Sequence, residues 1–217
     1  MLKELIAPFI QQTNFPAGWY WYQFFFGGHQ EKIETLSNYF QDNKKIIEVG
    51  CSVGNISHVF EKFKNVEYLG IDLDKNVVRY AKKHFAKKNF NFEVIDFKKI
   101  NKKYDYVLFS GLFHHIDDDL VVDYMSHAKK LLTHNGKIVV YDPVFGDNDP
   151  LFYRLFEKYL EVGKWVRRPE PLKRLILKAG GLKIEFEEEK LLSTFFKFPV
   201  VGRMRLYILK VEGEAPS

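Results

Sequence analysis

The sequence predicts an α/β fold: a mainly parallel sheet covered by helices on both faces. Two observations carry this. Short β-branched runs alternate with stretches of helical periodicity, and a glycine-containing turn, EVGCSVG (Glu48 to Gly54), follows the first of those runs.

Leu2, Leu5, Ile6, Phe9 and Ile10 fall on one helical face, as do Ile33, Leu36, Tyr39 and Phe40. The first strand is Lys45 to Val49, and the helix after the turn carries Ile56, Val59, Phe60 and Phe63. A second strand, Val66 to Ile71, ends at Asp72; Asp74 then caps a helix with Val77, Val78, Ala81 and Phe85 inward. FNFEVID forms a third strand ending at Asp96, and YDYVLF (Tyr104 to Phe109) a fourth. A helix through Val121, Tyr124, Ala128, Leu131 and Leu132 leads by an HNG turn into the strand KIVVY. Asp149-Pro150 reads as the start of a further helix, with Leu151, Phe152, Leu155, Phe156, Tyr159 and Leu160 inward and Gly163 as terminator. A shorter helix, Pro171 to Ala179, precedes two strands, about Leu182 to Lys190 and Arg205 to Val211, close enough to pair antiparallel.

The 217 residues suit one domain. Its expected divisions are a helical lid (1–43), a ligand-binding core (44–143), a helical insertion (144–181), a strand pair (182–211) and a frayed tail (212–217). Hydrophobic (46%) and charged (28%) fractions are those of an ordinary globular protein, and a net charge of +5 permits acidic partners without demanding nucleic acid. Cys51 stands alone, which rules out an internal disulfide framework and multi-cysteine metal clusters and makes a reducing cytoplasm the expected location. No stretch approaches the ~18 apolar residues of a membrane span.

In an open parallel sheet, ligands bind at the carboxyl ends of the strands, which is where EVGCSVG stands. A dinucleotide turn needs three glycines in G-x-G-x-x-G; counted from Gly50, Ser52 and Asn55 occupy the second and third places. The pattern acidic-x-G-x-G-x-G fits better, through Glu48, Gly50 and Gly54, with Ser52 the one departure. An acidic residue before the turn suits a ligand bearing an ammonium group. Asp72, at the tip of the second strand, is placed to accept from two ribose hydroxyls. Asp96 is placed to accept from an adenine amino group, with Phe97 to pack on the base.

Together IIEVGCSVGN, YLGIDLDKNVV, FEVIDF, YDYVLFSGLFHHIDD and LLTHNGKIVVYDP resemble the class I S-adenosylmethionine-dependent methyltransferases, over about Ile46 to Pro143. The resemblance implies a Rossmann-like seven-stranded sheet of order 3-2-1-4-5-7-6, with strand 7 antiparallel. It implies S-adenosyl-L-methionine as cofactor and S-adenosyl-L-homocysteine as product. Glu48, Gly50, Cys51, Ser52 and Gly54 would lie near its methionine part, Asp72 and Leu73 near the ribose, and Asp96 and Phe97 near the adenine, with Ser110 at the end of the fourth strand. The flanks GWYWYQFFFGG and GKWVRRPEPLKRL resemble a bacterial small-molecule subgroup.

A hydroxyl acceptor needs a base, and His115, His114 and Asp142 are the candidates at strand ends. Trp19, Tyr20 and Tyr22 are candidates for an acceptor-pocket wall, and Arg167 for an anionic acceptor or a surface ion pair. His114-His115 with Asp117, Asp118 and Asp119 lacks metal-ligand spacing, and the acids suit a helix N-terminus; no metal is expected. The lysines at 82, 83, 87, 88, 98, 99, 102 and 103 suit a solvated face, and no N-P-P-Y-like segment follows the fourth strand. The expectation is O-, N- or C-methylation of a small molecule, with nucleic acid an unlikely partner. The alternatives are an RNA methyltransferase and a non-catalytic protein that keeps the cofactor.

Overall fold

Seven β-rich segments pair into one sheet of order β3-β2-β1-β4-β5-β7-β6 in the computed structural model, which describes residues 12–146, 149 and 163–213. The expected helices over residues 2–10 and 150–162, and the last four residues of the tail, lie outside the described residues. The strands are β1 (Lys45–Val49), β2 (Glu67–Asp72), β3 (Phe90–Val94), β4 (Tyr104–Ser110), β5 (Leu132–Pro143), β6 (Leu182–Ser193) and β7 (Val200–Val211). The first five are mutually parallel where they pair, and β7 runs antiparallel to both β5 and β6. The order and the antiparallel seventh strand are those the resemblance implies.

Alternation along the strands divides the interior into two cores. Ile46 joins a cluster with Phe60, Tyr68, Val77, Ala81 and Leu206, whereas Ile47 and Val49 join another with Val107, Phe109, Tyr124, Ala128 and Leu172. Helices α2 (His29–Ser37) and α3 (Lys75–Phe85) cover the first face; α4 (Asp118–Leu131) and α5 (Pro169–Leu177) cover the second. Helix α1 (Pro16–Phe26) packs beside the first core through Trp19 and Tyr20. Among the described residues, no helix is long and apolar enough to cross a membrane.

The caps follow the sequence. Asp74 accepts from the Asn76 backbone N–H at 2.8 Å to start α3, and Asp117 accepts from Leu120 N–H at 2.9 Å to start α4. Three details differ from expectation. The segment after the turn is a 3-10 helix, Asn55–Lys62, whose first turn is tightened by the Ser57 hydroxyl donating to the Gly54 carbonyl at 2.6 Å. HNG is a bulge within β5: Tyr104 pairs with Leu132 but Tyr106 with Lys137, and Asn135 takes φ +61°. β6 and β7 are longer than expected, and their pairing reaches Ser193↔Val200, beyond the β5 pairing that ends at Pro143↔Met204.

Gly54 sits where the 3-10 helix meets α3 and β3. Its φ is +82°, and a Cβ there would stand 2.9 Å from both the Ala81 Cβ and the Phe92 Cε1. Gly54→Ala combines a left-handed penalty with overpacking and is expected to destabilise by about 2–4 kcal/mol. Urea unfolding measures it; an unchanged midpoint would contradict the contact.

Candidate active site

β1 ends in the middle of the sheet, between β2 and β4, and the chain leaves it through a tight turn. Gly50 (φ +76°) and Cys51 both donate to the Ile71 carbonyl, at 2.8 and 2.9 Å. A Cβ on Gly50 would stand 2.9 Å from the Leu112 Cδ1, so a side chain here would have to displace that leucine, and the positive φ also favours glycine. Ser52 takes φ +49°, the left-handed conformation that explains why glycine suits this place in the pattern. Its backbone N–H donates to Asp72 Oδ2 at 2.9 Å, while Asp72 Oδ1 accepts from Asp74 N–H at 2.9 Å. Each Asp72 oxygen thus holds one backbone hydrogen and keeps acceptor capacity for a ligand hydroxyl. Burial raises its pKa despite these bonds.

Glu48 is 1% exposed. Burial pushes its carboxyl up to about 8, and the neighbouring Asp72 charge adds to that, against the opposing hydrogen bond donated by the Tyr68 hydroxyl. Gly70, the β2 partner of Glu48, makes this bond possible: a Cβ there would come within 2.9 Å of the Tyr68 hydroxyl. Cys51 is buried and its thiol is pushed well up by burial and by the Glu48 and Asp72 charges, which makes it a packed neutral group.

These groups line one cavity of about 520 Å³ at the carboxyl ends of the strands. At one end stand Glu48, Gly50, Cys51, Ser52, Asp72 and Leu73, with Ile95, Phe97 and Tyr124 beside them; Ser110, the last residue of β4, also lines the cavity. Asp96 is not in the lining: its Oδ1 accepts from Lys98 N–H at 2.9 Å and caps the short helix Phe97–Lys99. Gly54 is not in the lining either and acts through packing.

The other end is walled by α1 and the β6–β7 pair. Trp19, Tyr22, Gln23 and Phe26, at i, i+3, i+4 and i+7, present one helix face to the cavity, opposite Leu192, Arg203 and Met204. Tyr20 was expected in this wall and is not: one residue on, its ring packs against Tyr80 and Phe85, and its hydroxyl lies 3.4 Å from His58 Nε2. Arg167 is also not in this cavity. Its guanidinium donates to Asp118 Oδ1 at 2.7 Å and to the Phe113 and Ile116 carbonyls at 2.6 and 2.9 Å, clamping the loop that carries the histidines. Its partners are backbone oxygens and a carboxylate, so it is used structurally.

His114 and His115 lie in a short helix, Phe113–His115, just past β4, and both line the cavity. His115 is exposed; His114 is buried beneath it, the ring centroids 3.9 Å apart. Asp142, 2% exposed and behind the lining, accepts from Phe113 N–H at 2.9 Å and faces His114 Nδ1 at 3.4 Å. No group of three His, Cys, Asp or Glu with metal-binding geometry occurs among the described residues.

Gln12, Thr13, Gln23, Lys32, Leu192 and Met204 were not anticipated in the lining. For Gln23 the period of α1 was the available signal, since it lies four residues from Trp19; the β6–β7 residues have none, because their contribution depends on how far that pair extends.

The Glu48 geometry has a measurable consequence without ligand. The folded state keeps a proton on Glu48 between its ordinary carboxylate pKa of 4.5 and about 8, where the unfolded chain has lost it. Stability therefore falls as pH rises through that window. Glu48→Gln removes the penalty, so its stability advantage over the parent is expected to grow from pH 5 to pH 8, reaching roughly 3–5 kcal/mol, and then level off. Denaturant midpoints across pH test this; a pH-independent difference would contradict it.

Comparison with known proteins agrees with the architecture. Residues 47–138 match a family model described as a methyltransferase domain. A putative methyltransferase, 235L, of Invertebrate iridescent virus 6 is 33% identical over 89 residues, 35% of this chain and 33% of that protein. A tRNA (guanine-N(7)-)-methyltransferase of Clostridium botulinum is 28% identical over 134 residues, 56% of this chain and 60% of that protein. The chain thus spans about a third of the viral relative's length and three-fifths of the bacterial one's. Among solved structures, the mitomycin 7-O-methyltransferase superposes with TM-score 0.65 at 17% identity, covering 83% of this chain and 53% of that one. With its strand order, its turn after β1 and the match of residues 47–138 in agreement, the chain has the fold of the class I methyltransferases.

Proposed function

We propose that this chain binds S-adenosyl-L-methionine and transfers its methyl group to a small-molecule acceptor, releasing S-adenosyl-L-homocysteine. The observation that carries the proposal is one cavity with two chemically different ends: buried or half-buried carboxylates at the β1 and β2 tips, and an aromatic wall from α1 opposite β6–β7.

The residues fit the cofactor. Glu48, pushed up to about 8 by burial, is a carboxyl that regains its charge when an ammonium group comes beside it. The missing side chain at Gly50 leaves room for close approach, Asp72 has acceptor capacity for ribose hydroxyls, and Leu73, Ile95 and Phe97 supply apolar surface for a base. When bound, S-adenosyl-L-methionine supplies a methyl group already activated on a sulfonium. The protein's task is to hold an acceptor in line and exclude water. Trp19, Tyr22 and Phe26 suit an acceptor with apolar or aromatic surface. For a hydroxyl acceptor His115 takes the proton on an imidazole nitrogen, with the tilted His114 ring against it and Asp142 fixing the loop through the Phe113 N–H.

An RNA acceptor is the second reading, favoured by the relative that acts on tRNA. Against it, Lys87 and Lys98 pair with Glu61 and Asp123 on the surface, and neither lines the cavity.

Calorimetric titration with S-adenosyl-L-homocysteine tests the cofactor. Binding by the parent and at least a tenfold loss in Asp72→Ala, the order expected for removing a charged hydrogen-bonding partner, are the predicted results. No binding by the parent would contradict the proposal. Labelled-methyl transfer into a small-molecule extract and into total RNA then separates the acceptors, and label in RNA alone would overturn the small-molecule reading. With a hydroxyl acceptor in hand, His115→Gln is expected to lower kcat by on the order of 100-fold while leaving cofactor affinity unchanged. An unchanged kcat would remove His115 from the chemistry.

A further inference from the structure

Several surface cations of this protein are matched by acids. Lys87 and Lys98 meet Glu61 and Asp123, and Lys137, Lys173, Arg205 and Lys210 meet Glu185 and Glu187. Lys164, Arg174 and Lys178 differ: all three are exposed, and among the described residues none of them forms an ion pair. They nevertheless stand together, lining a second pocket of about 420 Å³. Like charges gathered without a counter-charge repel one another, a cost that an anion in the pocket would remove.

Two pieces of chain build this pocket. Pro171, Arg174, Leu175 and Lys178, at i, i+3, i+4 and i+7, share one face of α5 and its C-terminal cap. Lys164 and Trp165 come from the segment just before α5. Trp165 is 45% exposed, and among the described residues no other ring packs on it and no cation sits over it. Packing therefore does not account for the indole. Asp118 also lines the pocket, but Arg167 holds its carboxylate at 2.7 Å and the other cations do not use it. The pocket adjoins the large cavity, since Val166 lines both. The Trp165 N–H donates to the His114 carbonyl at 2.9 Å, so one short segment carries the outer pocket and braces the histidine loop.

We propose that this pocket is a second binding site, outside the large cavity, for a nucleotide unit, either free or within an RNA strand. The base lies against the Trp165 ring, and the phosphates lie among Lys164, Arg174 and Lys178. Each feature asks for a different part of that ligand. An uncharged ring would leave the cations unmatched, and a bare phosphate chain would leave the indole unused. A concave site of this size takes a discrete ligand in preference to a flat surface.

The test is calorimetric titration of the full chain with uridine triphosphate, uridine, tripolyphosphate and a short oligouridylate. Uracil probes keep an adenosine site in the large cavity out of the measurement. Uridine triphosphate is expected to bind roughly tenfold more tightly than tripolyphosphate, the order of one stacked base, and more tightly than uridine. Its affinity should fall as salt rises. Trp165→Ala is expected to remove the preference over tripolyphosphate. The double variant Arg174→Gln/Lys178→Gln is expected to weaken both phosphate ligands by roughly tenfold or more, with the melting temperature unchanged because both side chains are exposed. Oligouridylate binding more tightly than uridine triphosphate would support the site with a strand as its source; binding no more tightly would support it with the free nucleotide. No saturable binding of either by the parent chain, equal affinity for uridine triphosphate and tripolyphosphate, or affinities unchanged in both variants would overturn the proposal. Such results would leave the cofactor assignment in place, because Glu48, Gly50 and Asp72 do not line this pocket.

Discussion

The buried carboxylate of Glu48 is the constraint around which the middle of the sheet is arranged. It sits on the central strand and is closed off from water. A charge in such a position is costly unless paired. The protein supplies only a partial answer, the Tyr68 hydroxyl, which reaches Glu48 because Gly70 has no side chain to intervene. The free chain is left holding a proton there at neutral pH. An unliganded protein selected only for stability would have an apolar residue in its place, which argues that the missing partner is a cation supplied from outside.

The neighbouring groups follow from the same requirement. Gly50 lets the turn lie close to the loop after β4, since a Cβ there would stand 2.9 Å from the Leu112 Cδ1. Asp72 is held by hydrogen bonds from Ser52 and Asp74, so the turn after β1 and the tip of β2 form one rigid unit. At the other end of the cavity a second network does comparable work for the histidine loop. Arg167 binds its carbonyls from one side and Asp142 its Phe113 N–H from the other, and neither side chain lines the cavity. Both side chains hold the loop in place, and the loop presents His114 and His115 to the cavity.

Much of this was legible in the sequence. Alternating strand and helix periods gave the parallel core, and the spacing Glu48, Gly50, Asp72 gave the carboxylate end, because these residues stand at or just past the tips of two adjacent strands. What was not legible depended on side-chain direction or on long-range approach. Tyr20 and Tyr22 are equally good pocket residues by type, and only the helical phase of α1 sends Tyr20 to Tyr80 and Phe85. Arg167 was read for its charge, whereas carbonyls fifty residues away use it. Asp96 has the right place in the pattern, but a local cap to Lys98 N–H takes up one of its oxygens. Gln12 and Thr13 gave no signal, because their partners Ser52, Asp74 and Asn76 come near them only in the folded chain.

Proton linkage is the most direct measurement of the central idea, that Glu48 waits for the ammonium group of the cofactor. Titrating S-adenosyl-L-homocysteine into the protein at pH 7, in buffers of different ionisation enthalpy, counts the protons exchanged on binding. With Glu48 protonated in the free chain up to about pH 8 and ionised beside the ammonium group, about one proton should be released per ligand, and none in Glu48→Gln. Binding by the parent chain with no proton release at pH 7 would contradict the account.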